Sequence, residues 1–274
     1  MKQRIITALV LTPIAVAIIL LLPTPVFAVI VGTTFLLALW EWTRLVGLES
    51  MASRVTAVVA GALLLAGLWY ADHAAVWPMV IGLGLVWWLV SLAWLRHFSF
   101  AASPSPGNRV LKLVVGYLLI VPAWVALMTI HDLEPLGHWW ALFALALVWA
   151  ADTFAYFAGS RFGRRKLAPR ISPGKTVEGA IGAFVGGALV ALTGGWLLGE
   201  RGLGLALLVI VALLTLAASI IGDLFESLAK RQANVKDSGA LFPGHGGLLD
   251  RLDSVFAAMP VFAAGKLVID FCTR

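Results

Sequence analysis

The sequence predicts an all-α, polytopic membrane protein with about nine transmembrane helices. Three observations carry that expectation. Of 274 residues, 61% are hydrophobic and 12% are charged, about half of the roughly 25% charged share in a soluble domain. The mean hydropathy is +0.96. Apolar runs near the roughly 20 residues a helix needs to cross a bilayer recur along the whole chain. The 12 Trp suit the same class, because amphipathic indole rings settle at membrane interfaces. A single cysteine, Cys272, excludes an internal disulfide.

The runs fall at 5–22, 26–43, 55–71, 75–95, 110–130, 138–158, 177–198, 202–222 and 254–271. The first follows Lys2 and Arg4 and is parted from the second only by Pro23, Thr24 and Pro25, a proline-punctuated turn. That first run, with Val26-Phe27-Ala28 behind it, also has the outline of a cleaved signal peptide. Removing it would start the alternation of basic loops from the wrong side. Glu41 and Arg44 close the second span and read as a surface ion pair. The sixth span ends in Asp152-Thr153-Phe154-Ala155-Tyr156 and leads into a strongly basic loop, 159–176. The seventh carries Gly179, Gly182 and Gly186, a small-residue stripe for close helix packing. The eighth ends at Gly222-Asp223 and opens a mixed-charge loop, 223–253. In the last span, Lys266 is expected to snorkel to the interface. The chain therefore divides into five N-terminal spans, 1–130, and a catalytic membrane region, 131–274, of four spans and two long loops.

Charge placement predicts the orientation. With the N-terminus cytoplasmic and the C-terminus outside, 17 of the 20 Lys and Arg fall in inside segments, leaving only Arg201, Lys266 and Arg274. This is the positive-inside pattern. It also accounts for the net charge of +6 without a nucleic-acid partner. The remaining loops are too short for a soluble domain, so any chemistry belongs at the cytoplasmic face or within the bilayer.

The stretch Ser227–Asp253, SLAKRQANVKDSGALFPGHGGLLDRLD, concentrates charge in an otherwise apolar chain. Asp223, Glu226, Ser227 and Lys230 share one helix face at i, i+3, i+4 and i+7. A carboxylate at the end of a membrane helix is costly unless paired, hydrated or metal-bound. Lys236-Asp237-Ser238-Gly239 and Pro243-Gly244-His245-Gly246-Gly247 follow. Glycines there let the backbone approach a ligand and turn N–H groups towards phosphate oxygens. His245 sits between glycines, where a solvent-exposed turn histidine is the plain alternative to a functional one. Asp250 and Asp253 share a face at i, i+3, and one or two carboxylates plus substrate phosphates suit Mg²⁺. Asp253 could equally be a helix-start acid.

Upstream, Ser172-Pro173-Gly174-Lys175-Thr176-Val177-Glu178 is not a nucleotide-binding P-loop, because the first glycine of that motif and the strand before it are missing. It reads as a helix start with Glu178 in the first turn. The cations beside it can neutralise phosphates.

These residues together resemble the phosphatidate cytidylyltransferase (CDP-diacylglycerol synthase) family. The resemblance rests on Ser227-x-x-Lys230-Arg231-x4-Lys236-Asp237-x-Gly239-x3-Pro243-x-His245-Gly246-Gly247-x-x-Asp250-Arg251-x-Asp253. The Asp152-Thr153-x-Ala155-Tyr156 and Ser172–Thr176 blocks are similar to further family motifs. Ala229 stands where the family usually has a larger apolar residue, and Val177 where an aromatic is common; neither removes a charged group.

The resemblance implies that CTP and phosphatidate give CDP-diacylglycerol and diphosphate, in phospholipid biosynthesis. It implies Mg²⁺ between Asp223 and Asp250, with K⁺ as a second ion. Lys175, Lys230, Arg231, Lys236 and Arg251 are then expected on substrate phosphates. Asp237, His245 and Asp253 complete the catalytic set, and Asp152, Ser172, Thr176, Glu178, Gly246 and Gly247 the substrate-binding set. The expected setting is a bacterial inner membrane. A homodimer is compatible with the sequence, and the bilayer is the remaining partner. Two rivals stand beside this reading: a CTP-dependent transferase acting on another membrane lipid, such as an isoprenoid alcohol, and a transporter. Clustering of the charges at one face, with no inverted repeat, speaks against the transporter.

Overall fold

A computed structural model describes residues 2–239 and 246–273, with side chains from residue 12 onward. Among the described residues, nine helices run in chain order: α1 (Lys2–Leu21), α2 (Thr24–Val46), α3 (Met51–Trp69), α4 (His73–Arg96), α5 (Pro106–His131), α6 (Gly137–Phe162), α7 (Val177–Leu197), α8 (Gly202–Gln232) and α9 (Leu249–Cys272). Between α6 and α7 lies an antiparallel hairpin, β1 (Lys166–Ala168) and β2 (Ser172–Thr176). Among the described residues, α2 to α9 are each long and apolar enough to cross a membrane, whereas the apolar part of α1, Thr12–Leu21, is shorter.

Local chemistry sets the helix ends. Ser50, Asp72, Ser105 and Thr176 each accept a hydrogen bond from a first-turn backbone N–H, satisfying donors that a helix start leaves orphaned. Gly47 ends α2 in the left-handed conformation, φ 84°, which glycine adopts without steric penalty. Short connections make successive helices antiparallel, so the C-terminal ends of α2, α4, α6 and α8 gather at the same end of the bundle as the N-terminal ends of α3, α5, α7 and α9.

The structure corrects the sequence reading where polar residues continue a helix. The eighth span was expected to stop at 222, but α8 runs on to Gln232 and carries Asp223, Glu226 and Lys230. The last span was expected from 254, but α9 begins at Leu249 and takes in Asp250 and Asp253. The loop expected over 159–176 is the end of α6 followed by the hairpin. In each case ion pairs and backbone contacts satisfy the polar side chains and let the helix continue past its apolar run.

The tryptophans depart from expectation too. Trp42, Trp77, Trp87, Trp88, Trp94, Trp124 and Trp140 are buried. Four of them, Trp42, Trp87, Trp88 and Trp94, surround Phe225 of α8 with ring centroids 5.5–6.4 Å away. The rings fill the space between α2, α4 and α8 and fix the rotation of α8 at the level where its charged face begins.

Small residues bring the remaining helices together. α6 and α7 pack closely, as the glycine stripe anticipated: a Cβ at Gly182 or Gly186 would run into Ala158 or the Phe154 ring. On α8, a Cβ at Gly222 would meet the Asp253 carbonyl and lie 2.9 Å from the Ala257 Cβ of α9. That glycine is what allows the start of α9 to lie against α8. Overpacking such a contact costs about 1–3 kcal/mol. Gly222→Ala is therefore expected to lower the detergent melting temperature, whereas Gly67→Ala, where a Cβ meets nothing within 4 Å, should leave it unchanged.

Candidate active site

At the end of the bundle where α6, α7, α8 and α9 meet, a cavity of about 480 Å³ opens between apolar walls. Its floor includes Ala151, Ala183 and Leu216, and its mouth includes Asp152, Tyr156, Lys175, Thr176 and Asp223. Ser219 and Ser254 also line it. Lys175, on the last residues of β2, forms an ion pair with Asp223. Asp223 also accepts a 3.4 Å hydrogen bond from the Ser227 hydroxyl one turn along. Asp152 and Asp253 both lie within Coulombic range of Asp223 and Lys175. Asp253 Oδ1 accepts a 2.7 Å bond from the Ser254 N–H. Asp152 and Asp223 thus line a largely apolar cavity with one lysine, Lys175, and Asp253 lies within Coulombic range of all three. Like charges held so closely in low dielectric are unfavourable unless cations join them.

A second cluster lies alongside. Lys230 Nζ is 2.7 Å from Glu226 Oε2 and 2.6 Å from Asp250 Oδ1, joining α8 to α9. The other Asp250 oxygen accepts the backbone N–H groups of Ser238 (3.0 Å) and Gly247 (2.8 Å). Gly246, φ 82°, turns the chain there, and a Cβ on it would come within 2.7 Å of Asp250 Oδ2. Glu226 is only 3% exposed. A buried acid of this kind needs a cation beside it, and Lys230 is that cation.

Other expected site residues have different surroundings. Glu178 accepts the backbone N–H groups of Arg164 and Arg165 and pairs with the Arg165 guanidinium at 3.3 Å, so it anchors the start of the hairpin. The Thr176 hydroxyl accepts the Gly179 N–H and caps α7 while also lining the cavity. Ser172 pairs in register with Ala168 and is not among the cavity-lining residues. Arg231 donates to the Ile171 carbonyl at 3.4 Å, tying α8 to the hairpin. Lys236, Asp237 and Arg251 are exposed near the start of α9. His245 lies outside the described residues.

Two residues read as peripheral are buried. Glu41, expected in a surface pair with Arg44, is 6% exposed and accepts bonds from the Ser238 hydroxyl (3.0 Å) and the Leu249 N–H (2.8 Å). An acid flanked by apolar residues at a span's end was the available signal, because such a group needs a partner. Lys266, expected to snorkel, is 5% exposed; it pairs with Asp270 and Glu200 and lies 4.3 Å from the Trp140 ring centroid. Neutralisation by two acids replaces escape to water.

Among the described residues, no three His, Cys, Asp or Glu side chains converge into a metal cage. A Mg²⁺ ion does not need such a cage, since it binds through one or two carboxylates, waters and substrate phosphates. The excess of carboxylates over cations at Asp223 is the feature such an ion would fit.

Residues 2–268 match the family described as the cytidylyltransferase family. The chain is 43% identical to a phosphatidate cytidylyltransferase of Pseudomonas aeruginosa over 265 residues, 96% of each protein. It is 34% identical to the Haemophilus influenzae protein of the same name, over 96% of this chain and 97% of that one. A Bacillus subtilis relative, also named phosphatidate cytidylyltransferase, is 38% identical over 53% of this chain and 56% of its own length. The chain belongs to the cytidylyltransferase family.

Removing one member of a buried ion cluster costs about 3–5 kcal/mol. Lys230→Met, which leaves Glu226 and Asp250 facing each other, is expected to lower thermal stability in detergent markedly, and Lys230→Arg much less. Equal melting temperatures for the two variants would refute a structural role for this cation.

Proposed function

We propose that this protein transfers the cytidylyl group of CTP to phosphatidate, giving CDP-diacylglycerol and diphosphate in phospholipid synthesis. The observation that carries the reading is the acid-and-lysine cavity at one end of an apolar bundle, in a chain that two phosphatidate cytidylyltransferases match over nearly their whole length. The site joins two environments. Its apolar floor lies at membrane depth, and its charged mouth is formed by helix ends and the β1–β2 hairpin. On the outer side of α6 and α7 runs an apolar groove of about 410 Å³, lined by Phe154, Phe157, Gly182 and Gly186 with Arg161 among its residues. Such a groove suits acyl chains with their phosphate held towards the cationic end.

Two polyanions must meet for this reaction, so the residues' work is screening and alignment. The phosphatidate phosphate is already ionised near neutral pH and needs no strong base to attack the α-phosphorus. Lys175 stands at the cavity mouth to take a phosphate oxygen, exchanging its partner Asp223 for substrate. Arg231, Lys236 and Arg251 lie near the start of α9, where the diphosphate can be received as it leaves. Lys230 holds Asp250 in place through their 2.6 Å contact. On this reading Mg²⁺ would be held by Asp223 at the cavity mouth and by Asp250, which lies in the adjoining cluster on Lys230 and outside the cavity lining; Asp152 and Asp253 would reinforce the negative field, and the ion would supply charge neutralisation and orientation of the triphosphate. K⁺ is the second ion this reading allows. We place the N-terminus and the charged mouth in the cytoplasm of a bacterial cell, with the chain in its inner membrane, because 17 of 20 Lys and Arg then fall inside.

Purified protein in detergent, given labelled CTP and phosphatidate, is expected to form lipid-linked CDP with Mg²⁺ and none with EDTA. Asp223→Asn and Asp250→Asn should lose at least about 100-fold in turnover, equivalent to about 2.7 kcal/mol of barrier, while still inserting and folding. Wild-type turnover in either variant would sink the metal assignment. Product with an isoprenoid phosphate or alcohol in place of phosphatidate would transfer the reading to another lipid acceptor.

A further inference from the structure

We propose that Glu41, on α2 and outside the signature stretch, is a positioning residue that sets the geometry of Asp250. This inference rests on the cytidylyltransfer reading above. Two carboxyl groups from different helices grip the same two strands of chain. Asp250 accepts the backbone N–H groups of Ser238 and Gly247, at 3.0 and 2.8 Å. Glu41 Oε2 accepts the Ser238 hydroxyl and the Leu249 N–H, at 3.0 and 2.8 Å. Each acid therefore takes one group from Ser238 and one from residues 247–249.

The packing leaves this clamp little freedom. Ser238 is 1% exposed and Glu41 6%. A Cβ added to Gly239 would lie 2.6 Å from the Glu41 carboxyl carbon, and a Cβ on Gly247 would run into Glu41 and the Ser238 hydroxyl. Glycines at 239 and 247 are thus required by the approach of a glutamate from α2. The Leu249 N–H is one of the orphan donors at the start of α9. Glu41 caps that helix from a neighbouring one, with its negative charge at the positive end of the helix dipole. α9 carries Asp250 and Asp253 in its first turns, so the angle at which it leaves the segment decides where both acids point. Trp42, next to Glu41, donates to the Lys112 carbonyl at 2.8 Å and holds this part of α2 against α5.

The test compares wild type, Glu41→Leu and Glu41→Gln. Leucine keeps the volume without an acceptor; glutamine keeps an acceptor oxygen. For Glu41→Leu the expected result is a fall in kcat on the order of 10–100-fold, the scale at which a misplaced catalytic group costs rate. KM for CTP and phosphatidate should change little, and hydrogen exchange should quicken in peptides covering 246–254. Glu41→Gln should recover most of the kcat and the protection. Wild-type kcat and wild-type exchange in Glu41→Leu would overturn the proposal. Should Glu41→Leu fail to fold, Ser238→Ala removes one tie and leaves α2 intact; it is expected to lower kcat several-fold with KM unchanged, and unchanged kcat there overturns the proposal as well. The exchange measurement does not depend on the assigned reaction. If wild type made no CDP-lipid, the functional reading would fail, while quickened exchange in Glu41→Leu would still support the clamp.

Discussion

Everything polar in this molecule depends on one constraint: a charge at the end of an apolar bundle must find its partner within the protein. Lys230 shows the consequence. It sits between Glu226 and Asp250 at 2.7 and 2.6 Å, and through that one cation α8 and α9 are joined where their glycine contact brings them together. Neither acid could be buried alone at bearable cost. The same rule governs Lys266 among Glu200 and Asp270 near the opposite end of α9. The difference lies in access. Lys266 and Lys230 are each held between two acids and are themselves nearly buried, whereas Asp152 and Asp223 line an open cavity with Lys175, with Asp253 within Coulombic range. An ion cluster shut inside the bundle ties helices together, and one that lines a cavity can exchange its partners for substrate.

The apolar part of the fold determines where that surplus points. Phe225 lies between Asp223 and Glu226 in sequence and is enclosed by four tryptophan rings from α2 and α4. Once Phe225 is seated, Asp223 must face α6 and α7, and Glu226 must face α9. Gly222 then admits the backbone of α9 at Asp253, which brings a third acid within Coulombic range of Asp223. The helices of the first half are therefore more than an anchor in the bilayer. They hold the aromatic surface against which the charged face of α8 is indexed, and α2 adds Glu41.

Much of this was legible in the sequence, and what was not has a physical cause. Composition and run length gave the helical membrane class. Spacing put Asp223, Glu226 and Lys230 on one face, and the Gly179–Gly186 stripe announced the α6–α7 contact. The ends of α8 and α9 were misplaced because hydropathy reports what a residue prefers alone, whereas Lys230 and Asp250 are helical as a pair. Glu41 and Lys266 were misread for the same reason: the partners of Glu41, Ser238 and Leu249, lie roughly 200 positions away, and no local pattern encodes them. The tryptophans were expected at interfaces because the rule concerns lipid-facing rings, while these fill gaps between helices. Glu178 was read as a first-turn acid at a helix start, and it stands there on α7; what the sequence did not show is that it also accepts the backbone N–H groups of Arg164 and Arg165 across the hairpin.

The long separation between Glu41 and its partners also bears on how the site can be preorganised. A glycine-rich segment is useful at a phosphate site because its backbone can come close, yet the same freedom costs entropy to fix. Asp250, the second residue of α9, grips Ser238 and Gly247 from within the signature stretch itself. Glu41 grips Ser238 and Leu249 from α2, whose flank is held by the Trp42 contact to α5. The fixed geometry that a reaction between two polyanions needs can therefore be drawn from the helix bundle as well as from the stretch that supplies the charged groups.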